Sequence, residues 1–198
     1  MTVDEVAVLL DALNGTRWHP IVVVGVTTGL RPGELLALHW SDVELGHEPH
    51  ASVRHALTYV GGVHLKAPKR SRSYRTVPLV PEAVTALKSW RKTQAAERLA
   101  AGTLWSPDWS DLVFTAEDRR PRWVRAYWAA LTDAVDGAHP HRLRHSYATH
   151  LLEAGTPIHH VAELLGDTVT TVENTYSHVL RTKHEVVAVA RGLLGGGA

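Results

Sequence analysis

The sequence has no cysteine among its 198 residues. Disulfide bonds, thiolate metal sites and cysteine nucleophiles are therefore excluded. It also lacks the basic region and apolar core of a secretory signal peptide in its first residues. Its longest apolar runs, such as residues 21–26, are far too short to cross a bilayer. These absences predict a soluble, cytoplasmic protein. Its amino-acid composition is that of an ordinary globular domain.

A large excess of positive charge is missing as well, because the formal net charge is only +1. The net charge alone argues against a nucleic-acid partner, but the distribution of charge is more informative. Residues 66–75 hold five cations and no acid, namely Lys66, Lys69, Arg70, Arg72 and Arg75. Such a cluster is typical of a segment that contacts DNA phosphates, although a solvated loop tip has the same composition.

The apolar pattern predicts a single domain over residues 1–198 that is mainly α-helical with a small antiparallel three-stranded β-sheet, an α+β fold. The strands are expected at residues 52–59, 63–66 and 74–79, with a glycine hairpin turn at residues 61–62 and the cationic cluster in the second turn. The helical period and capping residues predict helices at residues 2–15, 17–29, 32–38, 81–101, 122–135, 142–154, 157–165, 169–177 and 182–194.

The most informative residues lie in the segment His141-Arg142-Leu143-Arg144-His145. His141 and Arg144 are three residues apart, so on a helix their side chains are neighbours. An imidazole that titrates near neutrality can act as a general acid or base, and a guanidinium can grip two oxygens of a phosphodiester. Arg31 adds a second guanidinium at the N-terminal edge of a short helix, where unpaired backbone amides favour anions.

Each of these residues also has an ordinary structural interpretation. Arg31 can form an ion pair with Glu34 one helical turn further on, and such a pair can coexist with phosphate binding. His141 and His145 have the four-residue spacing of zinc ligands, but the acid of a zinc-protease motif and an obvious third ligand are missing. We therefore expect no metal here and expect His145 to form a hydrogen bond within the structure.

Tyr176 is the candidate nucleophile, although a tyrosine by itself is usually a half-buried side chain with a hydrated hydroxyl. It lies in Thr175-Tyr176-Ser177-His178, shortly after Leu164-Leu165-Gly166. Together with the segments around Arg31 and His141, this order of motifs resembles the catalytic domain of the tyrosine recombinases, the phage integrase family. The resemblance covers about residues 3–190 and implies the fold of that family's catalytic domain.

The resemblance also implies a chemical role for several residues. Lys69, in the hairpin turn before the Arg75–Leu79 segment, is implied as the general acid for the departing 5′ oxygen, with Lys66 as its competitor. The acid at Glu34 is implied to orient the arginine beside it. The implied reaction is cleavage and rejoining of DNA through a 3′-phosphotyrosyl link to Tyr176, with no metal, ATP or other cofactor.

The implied partner is double-stranded DNA, on which a full-length member forms a tetramer, while this domain alone can be a monomer. The expected location is the cytoplasm, on the nucleoid when the protein is bound to DNA. The N-terminal core-binding domain of full members is expected to be absent from this chain. Two rival functions stay open: a catalytically weakened DNA-binding or regulatory relative, and a strand-relaxing enzyme like the type IB topoisomerases.

Asp167 departs from the family pattern, which has histidine or tryptophan directly after the Leu-Gly pair. A carboxylate that faces a phosphodiester repels it by about 1 kcal/mol or more where water is excluded. Three outcomes are open: Asp167 caps the helix that follows, it is protonated, or it weakens catalysis. Capping is the first expectation, because aspartate is a good N-cap residue.

Overall fold

The computed structural model of the protein describes residues 1–59, 61–67, 73–104, 109–115 and 124–180. These residues form a mainly helical fold with small antiparallel sheets, which confirms the predicted fold class. The helices are α1 (Val3–Ala12), α2 (His19–Thr28), α3 (Pro32–Leu36), α4 (Pro81–Ala101), α5 (Val124–Ala134), α6 (Pro140–Glu153), α7 (Ile158–Leu165) and α8 (residues 169–180). The helix predicted at residues 182–194 lies outside the described part.

Local capping chemistry explains where several helices begin and end. Thr2 and Glu5 form a reciprocal capping box at the start of α1, with bonds of 3.1 and 2.8 Å between each side chain and the other residue's amide. Helix α2 ends at Gly29, whose φ of +62° is a left-handed conformation that glycine adopts without strain. That turn brings Arg31 to the N-cap position of α3.

The strands are β1 (Val43–Glu44), β2 (His50–Val53), β3 (Ala56–Thr58), β4 (His64–Lys66) and β5 (Arg75–Pro78). They form a three-stranded antiparallel sheet in the order β1-β2-β5 and a separate β3-β4 ribbon. The prediction of one continuous strand over residues 52–59, in a single sheet with the strands at residues 63–66 and 74–79, is therefore wrong. The chain leaves the first sheet after Val53 and starts the ribbon at Ala56.

Long-range contacts explain this break in the strand. Asp42 forms an ion pair with Arg54, with 3.1 Å between Oδ1 and Nε, and lies 3.6 Å from the ring of His55. The ribbon instead packs on α3, where a Cβ at Gly33 would lie 2.7 Å from the carbonyl oxygen of Leu57. Only a glycine lets the helix approach the backbone of β3 this closely.

Two groups of buried apolar side chains hold the domain together. The larger surrounds α2, whose apolar residues are buried on every side, as expected for a central helix. Val113 and Phe114 belong to it, and each is 0% exposed. The smaller joins α6, α7 and α8 and includes Tyr176. Among the described helices, none is both long and apolar enough to cross a membrane.

Candidate active site

Arg31 is held at the start of α3 by Glu34, one turn further along the same helix. The Glu34 carboxylate accepts a bond of 3.0 Å from the Arg31 amide and one of 2.9 Å from Nη1 of its guanidinium. Pro32 occupies the first helical position, where its missing amide proton costs no hydrogen bond. The ion pair between Arg31 and Glu34 that the sequence allows is thus present. It uses Nη1 of Arg31 and leaves Nη2 to bond a different side chain.

Arg144 lies on α6 and is anchored by backbone carbonyls from two other parts of the chain. Its Nη1 donates to the oxygen of Gly29 at 2.7 Å, and its Nη2 donates to the oxygen of Leu165 at 2.9 Å. The side chain is only 9% exposed. Burial and the charge of Arg31 lower the pKa of Arg144, although the guanidinium stays protonated at neutral pH.

The guanidinium groups of Arg31 and Arg144 converge on the carboxylate of Asp167. Nη2 of Arg31 lies 2.5 Å from Oδ1, and Nη2 of Arg144 lies 2.6 Å from Oδ2. We call Arg31 and Arg144 together the arginine clamp. Residues 113 positions apart in sequence thus meet on one anion.

The expectation that Asp167 caps the following helix is wrong. At the start of α8, the hydroxyl of Thr168 accepts a bond of 3.0 Å from the amide of Thr171, so Thr168 performs the capping. The Asp167 side chain points into the arginine clamp, and its own amide donates to the carbonyl of Ala162 at 2.9 Å. Sequence reasoning missed this bridge, because no local pattern records that α7 ends beside α3.

Tyr176 lies on α8 with 5% of its surface exposed, and its hydroxyl is 2.9 Å from Nδ1 of His145. Burial raises the pKa of Tyr176 above its ordinary value of 10; the charge of Arg144 opposes this shift and that of Asp167 adds to it. Burial and the charges of His141 and Arg144 lower the pKa of His145. His145 is therefore neutral at pH 7 and can accept a bond from the phenol.

His141 lies on the first turn of α6, on the same helix as Arg144. Burial, followed by the charges of His139, Arg144 and Arg31, lowers its pKa below the ordinary 6.5. Its ring is set edge-on to Trp128, with centroids 6.4 Å apart. The ring is therefore neutral at pH 7 and is electrostatically coupled to the arginine clamp.

Arg75 has a different environment from the one predicted for it. Its side chain is 5% exposed, with Nη2 2.9 Å from the Glu34 carboxylate and Nε 2.7 Å from the oxygen of Leu164. The structure therefore corrects the interpretation of Arg75 as a surface contact with DNA. Lys66 is exposed on β4, whereas Lys69, Arg70 and Arg72 lie outside the described residues.

A second cluster of polar side chains, which the sequence analysis did not single out, lies at His39, Asp42 and His55. One potential ligand atom from each lies within 4.8 Å of the others. The available signal was a His-x-x-Asp spacing directly after α3, with another histidine thirteen positions beyond the aspartate. His55 is too far along the chain to share a helix or strand with His39 and Asp42. The sequence alone therefore offers no reason to group these three residues.

Comparison with known proteins decides the family. The sequence profile of the phage integrase family matches residues 1–183. The chain belongs to this family. The resemblance stated from the motifs around Arg31, His141 and Tyr176 is therefore confirmed.

Relatives of this phage integrase family member carry recombinase names. A tyrosine recombinase XerC-like protein of Caldanaerobacter subterraneus subsp. tengcongensis is 32% identical over 194 residues, covering 89% of this chain and 49% of the relative. An integrase of Streptomyces ambofaciens is 32% identical over 206 residues, covering 96% of this chain and 51% of the relative. The chain thus spans about half the length of these curated relatives.

Solved structures of recombinases have the same fold. XerA recombinase superposes with a TM-score of 0.69 at 24% identity, over 93% of this chain and 62% of that one. The Tn1549 transposon integrase, solved in complex with a circular intermediate DNA, gives a TM-score of 0.75 at 19% identity, over 94% of this chain and 65% of that one. These likenesses confirm that this phage integrase family member has the predicted catalytic-domain fold.

Proposed function

We propose that this chain is the catalytic part of a site-specific DNA recombinase that cleaves and rejoins DNA through a phosphotyrosyl intermediate. The observation that carries the proposal is the convergence of Arg31 and Arg144 on one carboxylate. Two guanidinium groups that hold a single anion form a geometry suited to the non-bridging oxygens of a phosphodiester. Family membership and the recombinase names of the relatives support the same reaction class.

In this proposal the DNA phosphate takes the place that the Asp167 carboxylate has in the protein alone. The clamp then faces the charge that develops on the phosphate oxygens in the transition state. Its donors are already oriented, because Glu34 and two backbone carbonyls hold the arginines. Donors oriented in advance stabilise the transition state without reorganising during the reaction.

Tyr176 is the proposed nucleophile. Its phenol oxygen attacks phosphorus, the bond from phosphorus to the 5′ oxygen breaks, and a 3′-phosphotyrosyl link and a free 5′ hydroxyl are formed. Attack by a 5′ hydroxyl on that link reverses the step, so the bond energy is retained and no ATP or metal is needed. Lys69 remains the proposed proton donor to the departing oxygen, by resemblance alone.

We assign the proton of the phenol to His145 rather than to His141, the candidate favoured from the sequence. The 2.9 Å contact between Nδ1 and the Tyr176 hydroxyl supports this assignment, and the lowered pKa of His145 leaves its ring neutral and able to accept the proton. His141 is exposed on the first turn of α6, and the charges of both arginines act on its ring, so it suits a bond to a phosphate oxygen or to the leaving group.

Double-stranded DNA is the proposed partner, with the cationic residues Lys66, Lys69, Arg70 and Arg72 on its backbone. The Tn1549 integrase was solved with DNA, which supports this choice. Four copies on two duplexes would perform strand exchange in a full-length protein, and the isolated domain is proposed to be monomeric. A cytoplasmic location on the nucleoid follows from the same function.

The test uses a library of random-sequence duplexes that carry a nick, because loss of a short cleaved fragment traps the covalent intermediate. We expect an SDS-resistant protein–DNA adduct with the unmodified chain and with Tyr74→Phe, an exposed tyrosine chosen as the matched control. Tyr176→Phe should form none, while keeping its fold and DNA affinity. An equal adduct from Tyr176→Phe would refute the proposal.

Two further outcomes separate the rival functions. DNA binding without any adduct, in the unmodified chain and after removal of the Asp167 charge, would identify a non-catalytic DNA-binding relative. An adduct accompanied by relaxation of supercoiled plasmid, with no strand exchange between captured sites, would identify a relaxing enzyme like the type IB topoisomerases. Strand exchange without net relaxation supports a recombinase.

A further inference from the structure

A histidine-rich cluster lies between the turn after α3 and the start of the β3-β4 ribbon. His39 directly precedes the short 3-10 turn Trp40–Asp42, Asp42 is the last residue of that turn, and His55 directly precedes β3. Candidate ligand atoms from these three residues all lie within 4.8 Å of one another. The centroids of the His39 and His55 imidazole rings are 4.7 Å apart, and the planes of the two rings are tilted by 56° relative to each other.

The polar atoms of this cluster are buried without being satisfied. Nδ1 of His39 and Nδ1 of His55 are both shielded from solvent, and neither has a hydrogen-bond partner among the described residues. Nδ1 of His55 is 3.6 Å from Oδ2 of Asp42, which is too long for a hydrogen bond. A buried nitrogen without a partner is costly, and two of them beside one carboxylate form a donor set that a cation can satisfy.

The donor set matches one class of cation. Two imidazole nitrogens and one carboxylate oxygen are ligands that zinc accepts, with a fourth position open to water. Bonds of about 2.0–2.2 Å would require the side chains to move toward the ion by about 1 Å. The Asp42 side chain is 8% exposed, and its Oδ1 is held by Arg54 at 3.1 Å, which leaves Oδ2 on the histidine side. A carboxylate ligand oriented by a neighbouring donor is usual around bound metals.

We propose that His39, Asp42 and His55 bind a zinc ion that fastens the β3-β4 ribbon to the turn after α3. The ion would join two segments that the polypeptide connects only through β1 and β2. Its role would be structural, because the proposed reaction at Tyr176 requires no metal. This site is independent of the proposed function, and either can fail without the other.

Calorimetric titration of the untagged 198-residue chain with zinc chloride is the direct test. We expect one ion per chain, and a melting temperature higher by about 5 to 10 °C at a zinc concentration about 100 times Kd. His39→Ala and His55→Ala should each weaken binding at least tenfold. His160→Ala serves as the matched control, because His160 lies beside another histidine on α7 and should leave binding unchanged.

Circular dichroism of the metal-free variants separates loss of a ligand from loss of the fold. His55→Gln supplies a second, less disruptive substitution at the same position. Cobalt chloride gives an independent readout, since a four-coordinate site is expected to show an intense visible absorption that disappears in the folded His55→Gln protein. Absence of zinc binding below about 100 µM would overturn the proposal. Binding that is equally tight in folded His39→Ala and His55→Ala would overturn it as well.

Discussion

Replacement of Asp167 by asparagine should change DNA binding and stability in opposite directions. The substitution keeps the shape of the side chain and removes the charge that occupies the arginine clamp. In the protein alone, the carboxylate stabilises the fold by bonding Arg31 and Arg144. Under the proposed function, the same bonds must be broken before a phosphate can bind, so their free energy opposes DNA binding.

The expected change in free energy follows from how exposed the side chain of each arginine is. At Arg144, which is 9% exposed, a charge-assisted hydrogen bond contributes about 1.5–3 kcal/mol. At Arg31, which is 36% exposed, screening by solvent reduces the contribution to about 0.2–1 kcal/mol. Asparagine retains part of this stabilisation through its amide oxygen. We therefore expect Asp167→Asn to weaken the interaction with the clamp by about 2 kcal/mol. That corresponds to roughly 30-fold tighter DNA binding.

The assay compares the two proteins on one DNA sequence recovered from the adduct library. Filter binding at fixed ionic strength gives Kd, single-turnover cleavage gives the rate, and thermal unfolding gives the stability. We expect Asp167→Asn to bind about 30-fold tighter and to melt about 4–8 °C lower. Cleavage should also accelerate, because Asp167 raises the pKa of Tyr176. Asp167→His should accelerate it further, by adding a donor to the phosphate.

Glu163→Gln is the matched control, because this exposed glutamate on α7 undergoes the same change in net charge. It should change DNA affinity by less than about threefold, because salt screens an exposed charge that does not bond the clamp. If Asp167→Asn binds and cleaves DNA no better than the unmodified protein, while melting lower, then the carboxylate does not compete with phosphate. Such a result would refute our interpretation of the clamp.

Four further predictions concern the surroundings of the clamp. Glu34→Gln should destabilise the protein by about 3 kcal/mol at pH 7, because it leaves buried arginine charge uncompensated. Burial of Glu34 favours its neutral form, yet the adjacent arginines outweigh burial and hold the pKa of Glu34 below 4.5. The stabilising effect of Glu34 should therefore be lost as the pH falls below 4.5. This acid-dependent loss of stability should be missing from the Glu34→Gln variant. Gly33→Ala should lower the melting temperature by several degrees, since the new methyl group would meet the Leu57 carbonyl oxygen at 2.7 Å. His145→Ala should slow phosphotyrosyl formation about 100-fold, and the unmodified enzyme should lose activity only below pH 6.5, where the neutral imidazole beside Tyr176 becomes protonated. EDTA should leave cleavage unchanged in the folded His55→Gln protein, which lacks the proposed zinc site; a rate that falls on chelation in this variant would contradict a mechanism without metal.

Features of the fold that depend on neighbouring residues could be predicted from the sequence. The capping box at Thr2, the glycine that ends α2 and the placement of Arg31 at the start of α3 are all local effects. The shared helix of His141 and Arg144 follows from spacing in the same way. The roles assigned to these residues stay predictions until the adduct and the variants are measured.

Features that depend on packing could not be predicted. The cations of residues 66–75 look equivalent in composition, yet Arg75 is buried because β5 runs alongside α7 and Glu34. The strand predicted at residues 52–59 breaks because Asp42, from another segment, holds Arg54. Asp167 resembles an N-cap in sequence, and only the approach of α3 to the end of α7 shows that it bridges two arginines.

The two carboxylates of the site differ in burial and bonding, and under the proposed function this difference determines which one a phosphate displaces. Glu34 is 6% exposed and accepts from the Arg31 amide and from the guanidinium groups of Arg31 and Arg75. Displacing it would leave the buried guanidinium of Arg75 without a counter-charge, at several kcal/mol, and would also remove the acid that orients Arg31. Asp167 is 22% exposed, has one bond to each arginine of the clamp, and lies at a helix boundary. Under the proposed function, rotation of the Asp167 side chain into solvent would release the clamp, and a DNA phosphate would then bind both arginines. The three arginines (Arg31, Arg75 and Arg144) and the two acids (Glu34 and Asp167) give the site a charge of +1. Without the Asp167 carboxylate, the charge that faces DNA would be +2. A protein of low net charge can therefore still present a strongly cationic pocket.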